Sequence, residues 1–289
     1  MKSLYDIAAP AKLNLFLHIT GRRSDGYHLL QSVFMLIDWC DTLHFECRAD
    51  GGLSREDLTT ELPADDLIMR AARALKMASN CPLGAHIGID KQIPAQAGMG
   101  GGSSDAASTL LALNRLWKLN LSLESLTQIG LQLGADVPFF LGGHNAWIEG
   151  IGDQITPVQL PREHFLVVKP AAGLETKLIF SDPLLKRDHK PATISVFAAD
   201  IIDFGQNDLQ SVAQRLCPDV NKAIIWLESL GLNARMTGSG SAVFANASQQ
   251  IDFKDAPSAF KIRLCRSLDE HPLLGWASDN RLSVSSFSC

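Results

Sequence analysis

The chain has 289 residues, of which 46% are hydrophobic and 20% charged, and a formal net charge of −5. This is the mix of a globular protein with enough apolar residues for one large domain or two ordinary ones. The acidic balance argues against a general nucleic-acid surface, and no run approaches the ~20 apolar residues of a membrane helix.

In chain order, residues 11–20 (AKLNLFLHIT) alternate, with Leu13, Leu15, Leu17 and Ile19 on one face and Lys12, Asn14 and Phe16 on the other, which predicts a strand. GRRSDGYH follows as a turn signalled by Asp25-Gly26, and strand-like runs continue through LLQSVFMLIDWCDTLHFE. Residues 48–65 are polar and read as loop. Residues 66–80 predict a helix, capped by Asp65 or Asp66. GAHIGIDKQIP alternates again and enters a glycine-rich loop. DAASTLLALNRLWKL predicts a helix, and SLESLTQIGLQLG a second, with Ser122 as N-cap and Gly134 past its end. A turn, short strands and glycine bends carry the chain to about residue 160, where composition shifts. HFLVVKP is a strand, 207–230 is mostly helical, and LNARMTGSGSAVFA reads strand, glycine turn, strand. Strands and helices mix without a βαβ rhythm, so the expected class is α+β in two lobes, 1–160 and 161–289.

The six cysteines, Cys40, Cys47, Cys81, Cys217, Cys265 and Cys289, form no C-x-x-C pair and no metal-ligand spacing with histidine. They read as reduced thiols. The N-terminal MKSLYDIAAPAKLNL lacks the apolar region of a signal peptide, so the expected location is cytoplasmic. No H-E-x-x-H zinc motif and no G-x-S-x-G elbow occurs.

The stretch Pro94–Ser108, PAQAGMGGGSSDAAS, places Gly98, Gly100, Gly101 and Gly102 within five positions. Each glycine costs roughly 0.5–1 kcal/mol relative to alanine in regular structure. A Rossmann fingerprint fits poorly, because Ser103 stands where the third glycine should be and the distal acid is missing. A Walker A loop fails, since no lysine follows Gly102. A phosphate cradle remains: a strand, glycines exposing N–H groups, the hydroxyls of Ser103 and Ser104, and a helix start that attracts anions. The plain alternative is a flexible glycine turn capped by serine. Phosphoryl transfer also needs a nucleophile aligned by charged groups. Lys12 in PAKLNL and Asp136 in GADVPFF are candidates, although from spacing alone an edge lysine and a turn aspartate explain them as well.

The segments PAKLNLFLHITGRRSDGYHLLQSVF, IPAQAGMGGGSSDAASTLLALN, GADVPFFLGG and MTGSGSAVFA resemble the motifs of the GHMP small-molecule kinases, such as galactokinase, homoserine kinase and mevalonate kinase. The resemblance spans Pro10 to Ala245 and fades afterwards. It implies a two-lobed fold: an N-terminal lobe like domain 2 of ribosomal protein S5, a ferredoxin-like C-terminal lobe, and a cleft between them. It implies an ATP- and Mg²⁺-dependent kinase. By resemblance Asp136 is the catalytic base and Lys12 its partner. Pro94, Ala95, Gln96, Ala97, Gly98, Met99, Gly100, Gly101, Gly102, Ser103 and Ser104 hold the ATP phosphates. Mg²⁺ rides on those phosphates with no protein ligand assigned; Asp105 either stands near it or is a first-turn acid suited to the helix dipole.

By the same resemblance, the Asp-Gly-Tyr-His segment implies an alcohol substrate with a cytidine diphosphate moiety. Asn14, Tyr27, His28, Thr176, Phe180, Gly238, Ser239 and Gly240 would contact it, with aromatic rings stacking on the pyrimidine. Tyr27 and His28 could equally be turn residues, Phe180 a core residue, and GSGS a plain hairpin. Two departures stand out: Asp66 where asparagine is usual, and Lys177 where proline is common. The implied partner is a small molecule, with no nucleic acid or membrane, in a monomer or homodimer. Two rival readings are a different alcohol acceptor on the same scaffold and a non-catalytic nucleotide sensor.

Overall fold

The structure, a computed structural model, describes residues 2–278; Cys289 lies outside them. Alternation in the first segments produces one long antiparallel hairpin, β1 (Ser3–Arg22) and β2 (His28–Arg48), joined by the 23–27 turn, in which Gly26 takes φ 93°. Then follow β3 (Leu53–Asp57), α1 (Leu67–Ser79), β4 (Gly84–Asp90), α2 (Gly101–Leu116), α3 (Leu123–Leu133), α4 (Val137–Gly142), β5 (Ala146–Glu149) and β6 (Gln154–Pro157). The first sheet has the order β3-β4-β2-β5-β6, with β1 paired to β2.

The second sheet is built from β7 (His164–Pro170), β8 (Arg235–Met236), β9 (Val243–Asn246) and β10 (Phe260–Arg266). Its order β10-β7-β9-β8, antiparallel throughout, is the 4-1-3-2 arrangement of a ferredoxin-like lobe. Between β7 and β8 lie α5 (Thr176–Ser181), α6 (Ile194–Ala198), α7 (Gln210–Leu216) and α8 (Pro218–Ser229). Val220, Ala223, Ile224 and Leu227 of α8 are buried in the core of this lobe, while turns stand where a second helix would precede β10.

Two sequence expectations need correction. Residues 48–65 are not all loop, because Leu53–Asp57 pairs in parallel with β4, from Leu53↔Ala85 to Asp57↔Ile89. A strand with one apolar residue carries no alternation to detect; backbone pairing and the Arg55–Asp57 ion pair at 2.7 Å hold it. Second, Phe16 does not share a face with Lys12 and Asn14. The pairing shifts by one residue between Asn14↔Phe34 and Leu17↔Ser32, and such a bulge reverses every later side chain. Leu13, Leu15 and Phe16 therefore join one core cluster, while Leu17 and Ile19 enter another.

The hairpin is the middle layer. On one side it packs against α2 and, through Phe34 and Phe139, against α4, with α1 and α3 in the same core cluster, and α2 is buried almost throughout, from Ser104 to Asn114. On the other side Leu13, Val33, Met35 and Trp39 meet Phe165, Val167 and Phe244 of the second sheet. After β10 the chain returns to the first lobe: Leu268 N–H donates to Leu36 O (2.8 Å), His271 N–H to Gly143 O (2.8 Å), and Leu273 is buried among the helices.

Candidate active site

Both lobes border one cavity of about 750 Å³. Its wall includes the loop from Pro94 to Gly102, with Lys12, Asn14, Asp136, Thr176, Phe180 and the turn Gly238–Gly240. The structure thus gathers most of the sequence-predicted residues around one space.

The glycine loop is shaped by what it touches. Gly98 and Gly100 adopt φ 73° and 72°, the left-handed region that favours glycine. A Cβ on Gly98 would sit 2.3 Å from Thr237 O and 2.8 Å from Gly240 N, so the two glycine turns pack backbone to backbone. A Cβ on Gly100 would meet the Phe140 ring at 2.9 Å. Ser241 and Ala242 N–H groups donate to Gln96 O (3.0 Å) and Ala97 O (3.1 Å), and Lys12 N–H to Met99 O (3.0 Å). The loop is therefore fixed by β1, by α4 and by the opposite lobe.

The helix begins at Gly101, with Gly100 as N-cap, and its first bond runs from Ser104 N–H to Gly100 O at 2.9 Å. The N–H groups of Gly101, Gly102 and Ser103 thus have no acceptor within the helix. Ser104 is fully buried with its hydroxyl unpartnered, and neither Ser103 nor Ser104 borders the cavity. Asp105 lies beyond the first turn, so it is not the dipole-facing acid the sequence suggested; its Oδ2 accepts from Lys91 Nζ at 2.8 Å.

Lys12 is 4% exposed, and its Nζ stands 3.7 Å from Asp136 Oδ2. Nζ also donates to Asn14 Oδ1 and lies 4.2 Å from the centroid of the Phe34 ring. Asn14 Nδ2 donates to Ser32 Oγ (2.9 Å), and Asn14 N–H to Thr237 Oγ1 (2.8 Å). Burial pulls the Lys12 pKa down, and the Asp136 carboxylate opposes that fall. Asp136 is the N-cap of α4 yet makes no side-chain capping bond, so its carboxylate is left to the cavity. Phe140, one turn further on, is the ring against Gly100.

At the other end of the cavity, Thr176 and Ser239 hydroxyls meet at 2.7 Å, and Asn207 Nδ2 donates to Met236 O and Gly238 O at 2.7 and 2.8 Å. The His28 and Phe180 rings lie 5.0 Å apart. His28 Nε2 accepts from Arg187 Nε at 2.9 Å, while Arg187 Nη2 donates to Phe180 O and Asp182 O. Tyr27 is 61% exposed and does not border the cavity, nor does His28. Partial burial and the Arg187 charge lower the His28 pKa.

The departure at Asp66 is compensated. Its carboxylate caps α1 by accepting from Met69 N–H (3.0 Å) and pairs with Arg55 Nη1 at 2.6 Å, so it presents no lone charge to the cavity. Sequence reasoning missed Arg55, Arg187, Asp41 and Lys91. Isolated charges in strands and loops carry no spacing signal; only the fold brings Lys91 to the wall and sets Arg55, Arg187 and Asp41 against residues near it.

A glycine-lined helix start facing a lysine–aspartate pair across one cleft defines a small-molecule kinase of the GHMP type. Two family models match: the GHMP kinases N terminal domain over residues 66–144 and the GHMP kinases C terminal region over residues 194–262. The chain is 74% identical over 286 residues to the 4-diphosphocytidyl-2-C-methyl-D-erythritol kinase of Albidiferax ferrireducens, covering 99% of this chain and 100% of that one. It is 67% identical to the enzyme of the same name from Delftia acidovorans, covering 98% and 100%. The chain belongs to the GHMP kinase superfamily and, within it, to the family of the 4-diphosphocytidyl-2-C-methyl-D-erythritol kinases. A crystal structure of a 4-(cytidine 5'-diphospho)-2C-methyl-D-erythritol kinase superposes with TM-score 0.78 at 32% identity, covering 90% of this chain and 98% of that one. The Methanococcus jannaschii mevalonate kinase shares the fold, with TM-score 0.67 at 16% identity over 92% and 98% of the two chains.

Proposed function

We propose that the chain transfers the γ-phosphoryl group of ATP to the 2-hydroxyl of 4-diphosphocytidyl-2-C-methyl-D-erythritol, giving the 2-phosphate and ADP in the non-mevalonate route to isoprenoid precursors. The observation that supports it most is the Lys12–Asp136 pair, 3.7 Å apart, in the same cavity as the glycine loop.

In this mechanism the triphosphate lies along Pro94–Gly102, its oxygens taking the unpaired N–H groups of Gly101, Gly102 and Ser103. Asp136 accepts the proton of the attacking hydroxyl, and Lys12 steadies both the carboxylate and the oxygen as charge moves to phosphorus. Asn14 fixes the Lys12 ammonium, so a flexible side chain is aimed before substrate arrives. Mg²⁺ bound to the nucleotide would neutralise the β- and γ-phosphates. Among the described residues no group of three metal-ligating side chains stands together.

The cytidine end is assigned to Phe180, His28 and Tyr27, with Thr176 and the 238–240 turn facing the diphosphate. The domain division falls at about residue 160, between the two sheets. Among the described residues no helix is long and apolar enough to cross a membrane, and the five described cysteines are unpaired, which suits a cytoplasmic enzyme.

A transfer assay with this substrate, ATP and Mg²⁺ tests the proposal. Formation of ADP and the 2-phosphate, inhibited competitively by cytidine diphosphate, is the expected result. Turnover of homoserine or mevalonate instead, or no ADP at all, would overturn it.

A further inference from the structure

Beneath the start of α2 lies a charged cluster that the transfer mechanism does not use. Lys91 follows β4 directly, and its Nζ donates to Asp105 Oδ2 and to Asp41 Oδ2. A Cβ on Gly101 would lie 3.3 Å from that Nζ, so the ammonium stands against the helix tip assigned to the triphosphate. Lys91 and Asp105 both border the cavity.

The two carboxylates are not equivalent. Asp41, on β2, is fully buried, and its Oδ1 accepts from Gln92 N–H (2.6 Å) and Ile93 N–H (2.8 Å) in addition to the Lys91 bond on Oδ2. Asp105 is 2% exposed, has Lys91 as its partner on Oδ2 alone, and leaves Oδ1 without any. One ammonium cannot neutralise two buried carboxylates, and the carboxylate with fewer donors takes the proton. Of the other charges on the cavity wall, Asp66 pairs with Arg55 before α1 and Lys12 with Asp136, while Glu175 and Lys177, on the opposite lobe, are exposed to solvent.

We propose that Asp105 is a neutral carboxylic acid in the floor of the nucleotide cavity, and that ATP binds together with the proton it carries. The inference rests on the assignment of that cavity to ATP. With the proton in place the cluster has no net charge. Without it, one negative charge faces the incoming triphosphate across the glycine loop. Burial raises the Asp105 carboxyl to about 8, Lys91 opposing and Asp41 adding to the rise. A bound triphosphate pushes in the same direction, so nucleotide and proton favour each other's binding. Asp105 acts here as a positioning residue, with no bond made or broken.

The experiment compares the wild-type chain with Asp105→Asn, which keeps the shape and removes the titration. Binding of a non-hydrolysable ATP analogue with Mg²⁺ is measured calorimetrically from about pH 7.5 to about pH 9.5, in buffers of different ionisation heat. In wild type the Kd is expected to rise, by up to about tenfold per pH unit above the free group's pKa, with proton uptake on binding. Asp105→Asn is expected to show neither effect. An equal pH slope and proton uptake in both proteins would overturn the inference. Infrared difference spectra of the nucleotide-free proteins test the acid separately: a protonated-carboxyl band near pH 7 in wild type, missing from Asp105→Asn, supports it, and its absence from wild type overturns it. If neither protein bound the analogue at any pH, the ATP assignment would fail, and the proposed proton linkage with it.

Discussion

The Lys12 ammonium and the Asp136 carboxylate stand 3.7 Å apart, one from the hairpin strand β1 and the other from the start of α4. Phe140, on the same short helix as Asp136, packs against Gly100, so the pair is held in register with the phosphate loop. Chemistry at this point depends on a contact between three separate segments.

Replacing Asp136 by asparagine keeps the shape and removes the base. The expected result is a fall in kcat of about 10²- to 10⁴-fold with ATP affinity retained. Single-turnover kinetics alongside equilibrium binding of ATP check it, and a normal transfer rate would remove Asp136 from the role of base.

Gly98→Ala puts a methyl group where Thr237 O and Gly240 N already lie, in a backbone region alanine avoids. A loss of about 2–4 kcal/mol in stability is expected, together with a raised KM for ATP. Urea unfolding and initial-rate kinetics measure both; an unchanged midpoint would mean that the two turns do not rely on each other.

Phe180→Ala removes the ring that faces His28. Loss of a base stack costs about 1–3 kcal/mol, so the KM for the cytidine substrate is expected to rise roughly 5- to 150-fold while the KM for ATP stays put. Equal changes in both constants would point to a disturbed core instead.

His271 is buried, and burial lowers its pKa to about 4. The folded-state pKa lies below that of the unfolded chain, so the unfolded chain binds more protons in between. Stability is full above about pH 6.5 and declines as pH falls toward 4, by at most about 3 kcal/mol from this group. His271→Asn, which retains an acceptor for Leu273 N–H, is expected to flatten that part of the profile in denaturant titrations at pH 7 and pH 5.

Much of the site was legible because its parts are local. The strand–glycines–helix order and the turn holding Asp136 each lie in one short segment. Alternation through Leu13 and Leu15 placed β1, and the Ala-Leu run placed α2. The β1 bulge was hidden because one extra residue changes no composition, and it sends Phe16 to the opposite face. The burial of the Ser104 side chain was hidden because α2 begins at Gly101, about a turn earlier than the Ala-Leu run indicates, and a helix start cannot be fixed from sequence within a turn. The Lys91 cluster was illegible for a different reason: Asp41, Lys91 and Asp105 meet only through sheet pairing and the docking of α2.

The chain passes between the lobes twice, and the crossings are stitched side by side: Ser267 N–H donates to Glu163 O, and Glu163 N–H to Ser267 Oγ, both at 2.9 Å. Leu273 then plugs the helical layer of the lobe where the chain began. A gene split near residue 160 would therefore leave the first half without the Leu268–Leu273 segment that completes its helical layer. Any opening of the cleft about that doubled seam would also have to part the core that Leu13, Val33, Met35 and Trp39 share with Phe165, Val167 and Phe244.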